Sequence, residues 1–174
     1  MADPHIQSPM DIWDYLTVIL YRSGFVLAGI MTLLLPYKAD IAHLGLLIAA
    51  TLCASSLHIY MKSFRLILQL ATWVALICQA LGFEALALGG ALVTLGGLCY
   101  KEYFCFRVFL LNAQPFFVAL LWGAVQLNSP LFTQVMSLIV ALLFFVLAFK
   151  KWQMPLHFDI GVDILPCLKA GDSY

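Results

Sequence analysis

The stretch LCYKEYFCFRVFLLNAQPFF, Leu98 to Phe117, sets Lys101, Glu102 and Arg107 within seven residues of an otherwise apolar chain and follows them with Asn112, Gln114 and Pro115. A carboxylate near hydrocarbon either neutralises or finds a cation, and Arg22, about 14 residues before Pro36 in the first apolar segment, is the candidate partner for Glu102. Ionisable groups at such depth generally face a bundle interior or an aqueous path. Asn112 and Gln114 are suited to hydrogen bonds between helices. Pro115 has no N–H to give to Leu111, so a kink is expected there. Arg22, Glu102, Asn112 and Gln114 are thus the candidate ion pair or polar lining beside an interrupted helix, the arrangement transporters use at mid-depth. The plainer reading of KEYFCFR is a turn in which Lys101 and Arg107, with Arg65 nearby, form a basic rim that fixes orientation.

Other chemistries find less support in the spacing. His43 and His58 are fifteen residues apart on one apolar run, about 22 Å of helix, so they cannot share one iron. His58 with Cys53, Met61 or Cys105, and Asp40 with His43 and Glu84, are the remaining metal sets, yet no H-x-x-x-H, C-x-x-C or E-x-x-H pattern backs either. Ser55 and Ser56 stand two or three residues from His58, a poor geometry for a nucleophile and its base, and no oxyanion loop follows. The five cysteines fall mostly in apolar stretches, where a free thiol behaves as a small hydrophobe. No metal, no cofactor and no enzymatic activity are expected.

The elements that must position these groups are membrane helices. Of 174 residues, 64% are hydrophobic and 10% charged, with a mean hydropathy of +0.99, whereas soluble domains have about 45–50% apolar and about 25% charged residues. A water-soluble fold has no room to hide that much apolar surface. Nine basic and nine acidic residues give zero formal charge, which removes the electrostatic basis for binding nucleic acid. The pattern predicts an all-α, polytopic transmembrane helical bundle of six spans in one domain, 1–152, followed by a short cytoplasmic tail, 153–174. Ser8, Pro9 and Asp11 read as the cap, first and third positions of the first helix, which runs to Pro36. Nothing basic precedes Arg22, so this segment is expected to stay as a helix rather than be cleaved as a signal.

The remaining spans are expected at Ile41–Tyr60, Phe64–Phe83, Leu86–Tyr100, Phe104–Gln126 and Leu131–Phe149. The fourth is short, about 22 Å against a hydrocarbon core of about 30 Å. Either it continues through Lys101 and Glu102 or the bilayer thins there. Lys62, Arg65, Lys101, Arg107, Lys150, Lys151 and Lys169 share one side and Lys38 alone takes the other, which predicts a bacterial inner-membrane protein with both termini cytoplasmic.

Small residues recur along the fourth span. Gly90, Thr94 and Gly97 fall on one face and Gly82, Gly89 and Gly96 on an adjoining stripe, so this helix is expected to pack closely on a neighbour or on a second copy of the chain. Six short spans, the glycine-rich fourth one and the YKEYFCFR junction together resemble a family of small bacterial integral membrane proteins defined as a domain of unknown function. That resemblance covers the chain from the first span to the sixth, implies the same membrane fold and carries no activity or residue roles. Two readings follow. One is a non-enzymatic protein that moves or accommodates a small solute through a cytoplasm-facing polar cavity. The other is an assembly protein in the lipid bilayer whose aromatic and basic rim engages another membrane protein.

Overall fold

Helix boundaries in the computed structural model, which describes residues 11–56, 62–156 and Asp159, follow local chemistry closely. Helix α1 (Ile12–Leu34) opens on a capping box in which Asp11 accepts from the N–H of Ile12 and Asp14 reaches back to the N–H of Asp11. Asp11 is thus the cap, in extended backbone, and not the third helical residue expected from a start at Ser8; Ser8 and Pro9 themselves lie outside the described residues. Then come α2 (Ala39–Ser55), α3 (Lys62–Ala80), α4 (Glu84–Phe106), α5 (Gln114–Gln126) and α6 (Pro130–Gln153). All described secondary structure is helical, as the apolar pattern predicts.

Two turns are closed by matching devices. After α3, Gly82 takes a positive φ of 81°, and the N–H groups of Gly82 and Phe83 bond back to the carbonyls of Gln79 and Cys78. After α5, Asn128 (φ 49°) and Ser129 bond in the same way to Val125 and Ala124. In both, two orphan carbonyls at the helix end are satisfied and the chain reverses at once. Pro130 then sits in the first turn of α6, where its missing N–H is not needed.

The fourth and fifth helices depart from the expected bounds in a way that bears on function. Helix α4 is 23 residues long and runs through Lys101 and Glu102 to Phe106, so length is recovered by extending the helix. It stops at Arg107, whose φ of 48° lets its N–H bond to the carbonyl of Tyr103. The next span therefore does not begin near Phe104. Residues 107–113 are irregular apart from one 3-10 turn at Leu111–Ala113, and α5 starts only at Gln114 with 13 residues. Pro115 introduces no kink. It lies in the first turn of α5, where a missing donor costs nothing.

Helix α4 is the hub: it packs against α2, α3 and α5, while α1 closes the ring by touching α2 and α6, and α6 touches α5. Helix α3 rests outside the ring on α4 and α2. Ile12–Leu34, Ser63–Ala80 and Pro130–Gln153 are each long and apolar enough to cross a membrane. The other three described helices do not meet that test, so length and composition support three of the six expected spans.

Glycine makes the close contacts. Gly90 backs onto Ala71 and Ala75, Gly97 onto Leu68, and Thr94 Oγ1 lies 2.9 Å from Thr72 Oγ1, so the Gly90–Thr94–Gly97 face belongs to α3 of the same chain. A homo-oligomer seam through this face would first have to displace α3. The adjoining stripe meets α5, with Gly89 under Trp122 and Gly96 against Val118 and Pro115. Interhelical hydroxyl bonds are worth about 0.6 kcal/mol on average in membrane proteins. A double-mutant cycle of Thr72→Val and Thr94→Val, read by denaturant unfolding in mixed micelles, is expected to return a coupling of that order.

Candidate functional site

Three helices and one returning segment converge at the end of the bundle that carries Lys101 and Lys151. Glu102 is eighteen residues along α4 from Glu84, and Lys151 twenty-one along α6 from Pro130, or about 27 and about 32 Å of helix. Against a hydrocarbon core of about 30 Å, both lie at its edge. Each occupies an inward position: Leu95, Leu98 and Glu102 form one buried stripe of α4, and Val140, Phe144, Leu147 and Lys151 one of α6. From α1 come Tyr21 and Arg22, also buried. Beyond α6 the chain turns back at Met154 and Pro155 and delivers Asp159 to the same place.

The charges interlock. Glu102 accepts from the Tyr21 hydroxyl at 2.7 Å on Oε1, receives Lys101 on the same oxygen at 3.0 Å, and faces Lys151 through Oε2 at 3.1 Å. Lys151 also meets Asp159 Oδ1 at 2.5 Å, and the other oxygen of Asp159 accepts from Arg22 Nε at 2.6 Å. The two remaining guanidinium nitrogens of Arg22 donate to the carbonyls of Met154 (2.7 Å) and Pro155 (3.0 Å). The Lys151 ammonium lies 4.8 Å from the Tyr21 ring centroid, close enough for the ring face to stabilise it. Arg22, Glu102 and Lys151 are 1%, 1% and 4% exposed. Two buried cations thus face two carboxylates, with Lys101 as a partly exposed fifth member.

The sequence-predicted residues separate into three groups. Arg22 and Glu102 enter one network but do not touch; Asp159 and Lys151 stand between them, and each of the pair is satisfied by a different partner. Lys101 joins the network, whereas Arg65 and Arg107 are exposed rim residues. Asn112 and Gln114 lie elsewhere. Asn112 is exposed, and Gln114 is fully buried with its Nε2 donating to the carbonyl of Val140 at 3.2 Å. Val140 and Lys151 are eleven residues apart, about 16 Å, so Gln114 sits near mid-depth and apart from the charges. The four candidate residues therefore do not surround one cavity. The charged groups fill the bundle end, beside a narrow crevice lined by Val18, Tyr21, Ser56, Lys101 and Asp159.

Sequence reasoning passed over Tyr21, Lys151 and Asp159 as site residues. Lys151 is legible in helical phase, since it continues the stripe of Leu147 and Phe144, but beside Lys150 it reads as rim. Among the described residues, no three His, Cys, Asp or Glu side chains are grouped to hold a metal ion. His58 and Met61 lie outside the described residues. His43 is partly buried in the second turn of α2, its Nε2 without a hydrogen-bond partner among the described residues.

Comparison with known proteins places this architecture. Residues 73–164, from within α3 to beyond Asp159, match the family described as an uncharacterised integral membrane protein, DUF2301. A protein of Haemophilus influenzae (strain Rd), described as an uncharacterised protein, is 60% identical over 161 residues, covering 92% of this chain and 96% of the relative. No solved structure matches the chain. A matched region spanning more than half of the chain and a relative similar along nearly its whole length lead to one conclusion: the chain belongs to the DUF2301 family of integral membrane proteins.

Proposed function

We propose that this protein is a non-enzymatic, multi-pass component of the bacterial inner membrane that moves or accommodates a small polar solute, with Arg22, Glu102, Lys151 and Asp159 closing its cytoplasmic end. The buried ion network carries the reading. Removing charges from water costs several kcal/mol per ion, and apolar side chains of the same volume often hold a fold as well or better. A bundle that needed only to stay together has no use for four such groups. Ionisable residues inside membrane proteins characteristically mark the path of a solute or ion. Helix α5 supports the same reading, because it begins at mid-depth and leaves irregular backbone, 107–113, on the side of the network. The excess of Lys and Arg at that end supports its cytoplasmic orientation.

Two native thiols test the closure. Cys53 and Cys99 are fully buried, and Cys53 Sγ lies 3.6 Å from the Tyr21 carbonyl, directly beside the network. In a chain with Cys78, Cys105 and Cys167 changed to serine, Glu102→Gln is expected to speed labelling of the two remaining thiols by a membrane-impermeant maleimide on the cytoplasmic side. The gain should be at least about tenfold, since each 1.4 kcal/mol or so lost from the closed state raises the open population by that factor. Unchanged, negligible labelling in the variant would mean a permanently sealed end and would remove this reading. Uptake of radiolabelled acetate, alanine and glycerol into proteoliposomes gives the direct readout.

The assembly reading is favoured by a different observation, the exposure of Phe104 (56%), Phe109 (83%) and Trp152 (48%) near Arg65 and Arg107. Substitutions on that rim would then abolish activity while Glu102→Gln left it intact. The reverse pattern belongs to solute movement.

A further inference from the structure

Asp159 differs from every other member of the network in where it comes from. Tyr21, Arg22, Lys101, Glu102 and Lys151 are fixed by helices α1, α4 and α6, whereas Asp159 lies beyond the end of α6, its own N–H bonded to the carbonyl of Leu156 at 3.2 Å. Its carboxylate is gripped like a ligand. One oxygen takes Arg22 Nε at 2.6 Å and the other takes Lys151 Nζ at 2.5 Å. If Asp159 is set aside, the buried helical groups are Arg22 and Lys151 against Glu102, an excess of one positive charge, and a buried excess charge demands a counter-ion.

We propose that Arg22 and Lys151 form a binding site for a small monocarboxylate, and that Asp159 occupies it as a tethered stand-in for that ligand. The chemistry narrows the class. Two cationic donors from different helices meet the two oxygens of a planar carboxylate, one donor to each. The other two guanidinium nitrogens already donate to the carbonyls of Met154 and Pro155, which leaves Nε and the Lys151 ammonium as the groups that meet the carboxylate. Glu102, 3.1 Å from Lys151, lies beside the site and repels a dianion more strongly than a monoanion. A phosphate or a dicarboxylate is therefore disfavoured relative to acetate or formate. The crevice beside Asp159, bordered by Val18, Ser56 and Lys101, is the approach, and its narrowness sets the size. The carboxylate-binding assignment names a ligand class for the same site and rests on the solute-handling reading given above.

The test is chemical rescue of the full-length protein in detergent. Asp159→Ala is expected to lower the melting temperature, and acetate or formate at 100 mM to restore about 4 °C of it, the size expected for a Kd of about 10 mM in a chain of this length. Chloride and phosphate at matched ionic strength should give no such gain, and neither should acetate on the native protein, where the tether already fills the site. Adding Arg22→Gln to Asp159→Ala should abolish the rescue. Asp159→Asn, which keeps shape without charge, serves as the second variant should the alanine protein not fold, and the same acetate-dependent gain is expected. Failure of both carboxylates to stabilise either Asp159 variant overturns the proposal, and so does equal stabilisation by chloride. Rescue without uptake of any probe into proteoliposomes would sink solute movement and leave the anion site standing; uptake without rescue would do the opposite.

Discussion

Replacing Lys151 with methionine is expected to destabilise the folded bundle by about 3–5 kcal/mol, the range seen when one member of a buried ion pair is removed. Lys151 is 4% exposed and its ammonium contacts both Glu102 and Asp159, so its loss deprives two carboxylates at once. Glu102 would keep only the partly exposed Lys101 and the Tyr21 hydroxyl. The paired variant Glu102→Gln with Lys151→Met leaves Arg22 and Asp159 balancing one another and is expected to recover most of the loss. Replacing a whole pair with neutral groups is often harmless, in contrast to halving it. Lys101→Ala is the control, with an expected cost below about 1 kcal/mol because that side chain is 28% exposed. Unfolding by denaturant titration in mixed micelles measures all three. Equal losses in the single and paired Lys151 variants would show that packing of the lysine stem, and not charge balance, decides stability here.

Gly90→Leu is expected to rank next. A Cβ at Gly90 would lie 2.8 Å from the Ala75 Cβ and 2.9 Å from the carbonyl oxygen of Ala71, and the latter is helix backbone that cannot step aside. Overpacking at such a point costs about 1–3 kcal/mol. Thr94 lies one turn along the same face, so pushing α3 outward would also break its bond to Thr72. Gly123 offers the comparison. A Cβ there meets nothing within 4 Å, and Gly123→Ala in the interior of α5 is expected to be neutral or to stabilise by up to about 1 kcal/mol. If Gly90→Leu and Gly123→Ala melted alike, close backbone approach could not be what holds α3 to α4.

Helix number and order were legible because apolar run length and the Gly, Pro and Asn punctuation around Pro36, Gly82 and Asn128 determine them physically. The path of 101–115 was not. A proline satisfies its missing N–H equally well at a kink or in a first turn, so Pro115 does not distinguish one long helix from a late-starting short one. The residues that decide the matter, Arg107 and Leu110, adopt φ of 48° and 66° without being glycine or asparagine, and nothing in their types announces it. Within the site, Arg22 and Glu102 stand out as charges in apolar runs, and the helical phase of Lys151 against Phe144 and Leu147 places it inward. Asp159 follows no periodic segment. Its position depends on the chain reversal at Met154 and Pro155, a tertiary event that hydropathy does not encode.

The 13-residue length of α5 has a consequence for how the protein is made. A rod of about 20 Å cannot bridge the apolar layer, and its irregular leader, 107–113, carries peptide groups that lipid will not solvate. Helix α5 is therefore unsuited to leave the translocon as a separate stop-transfer unit. It has to be released together with α6 across the three-residue turn at 127–129, and a lengthened linker there should strand it outside the bilayer during biosynthesis.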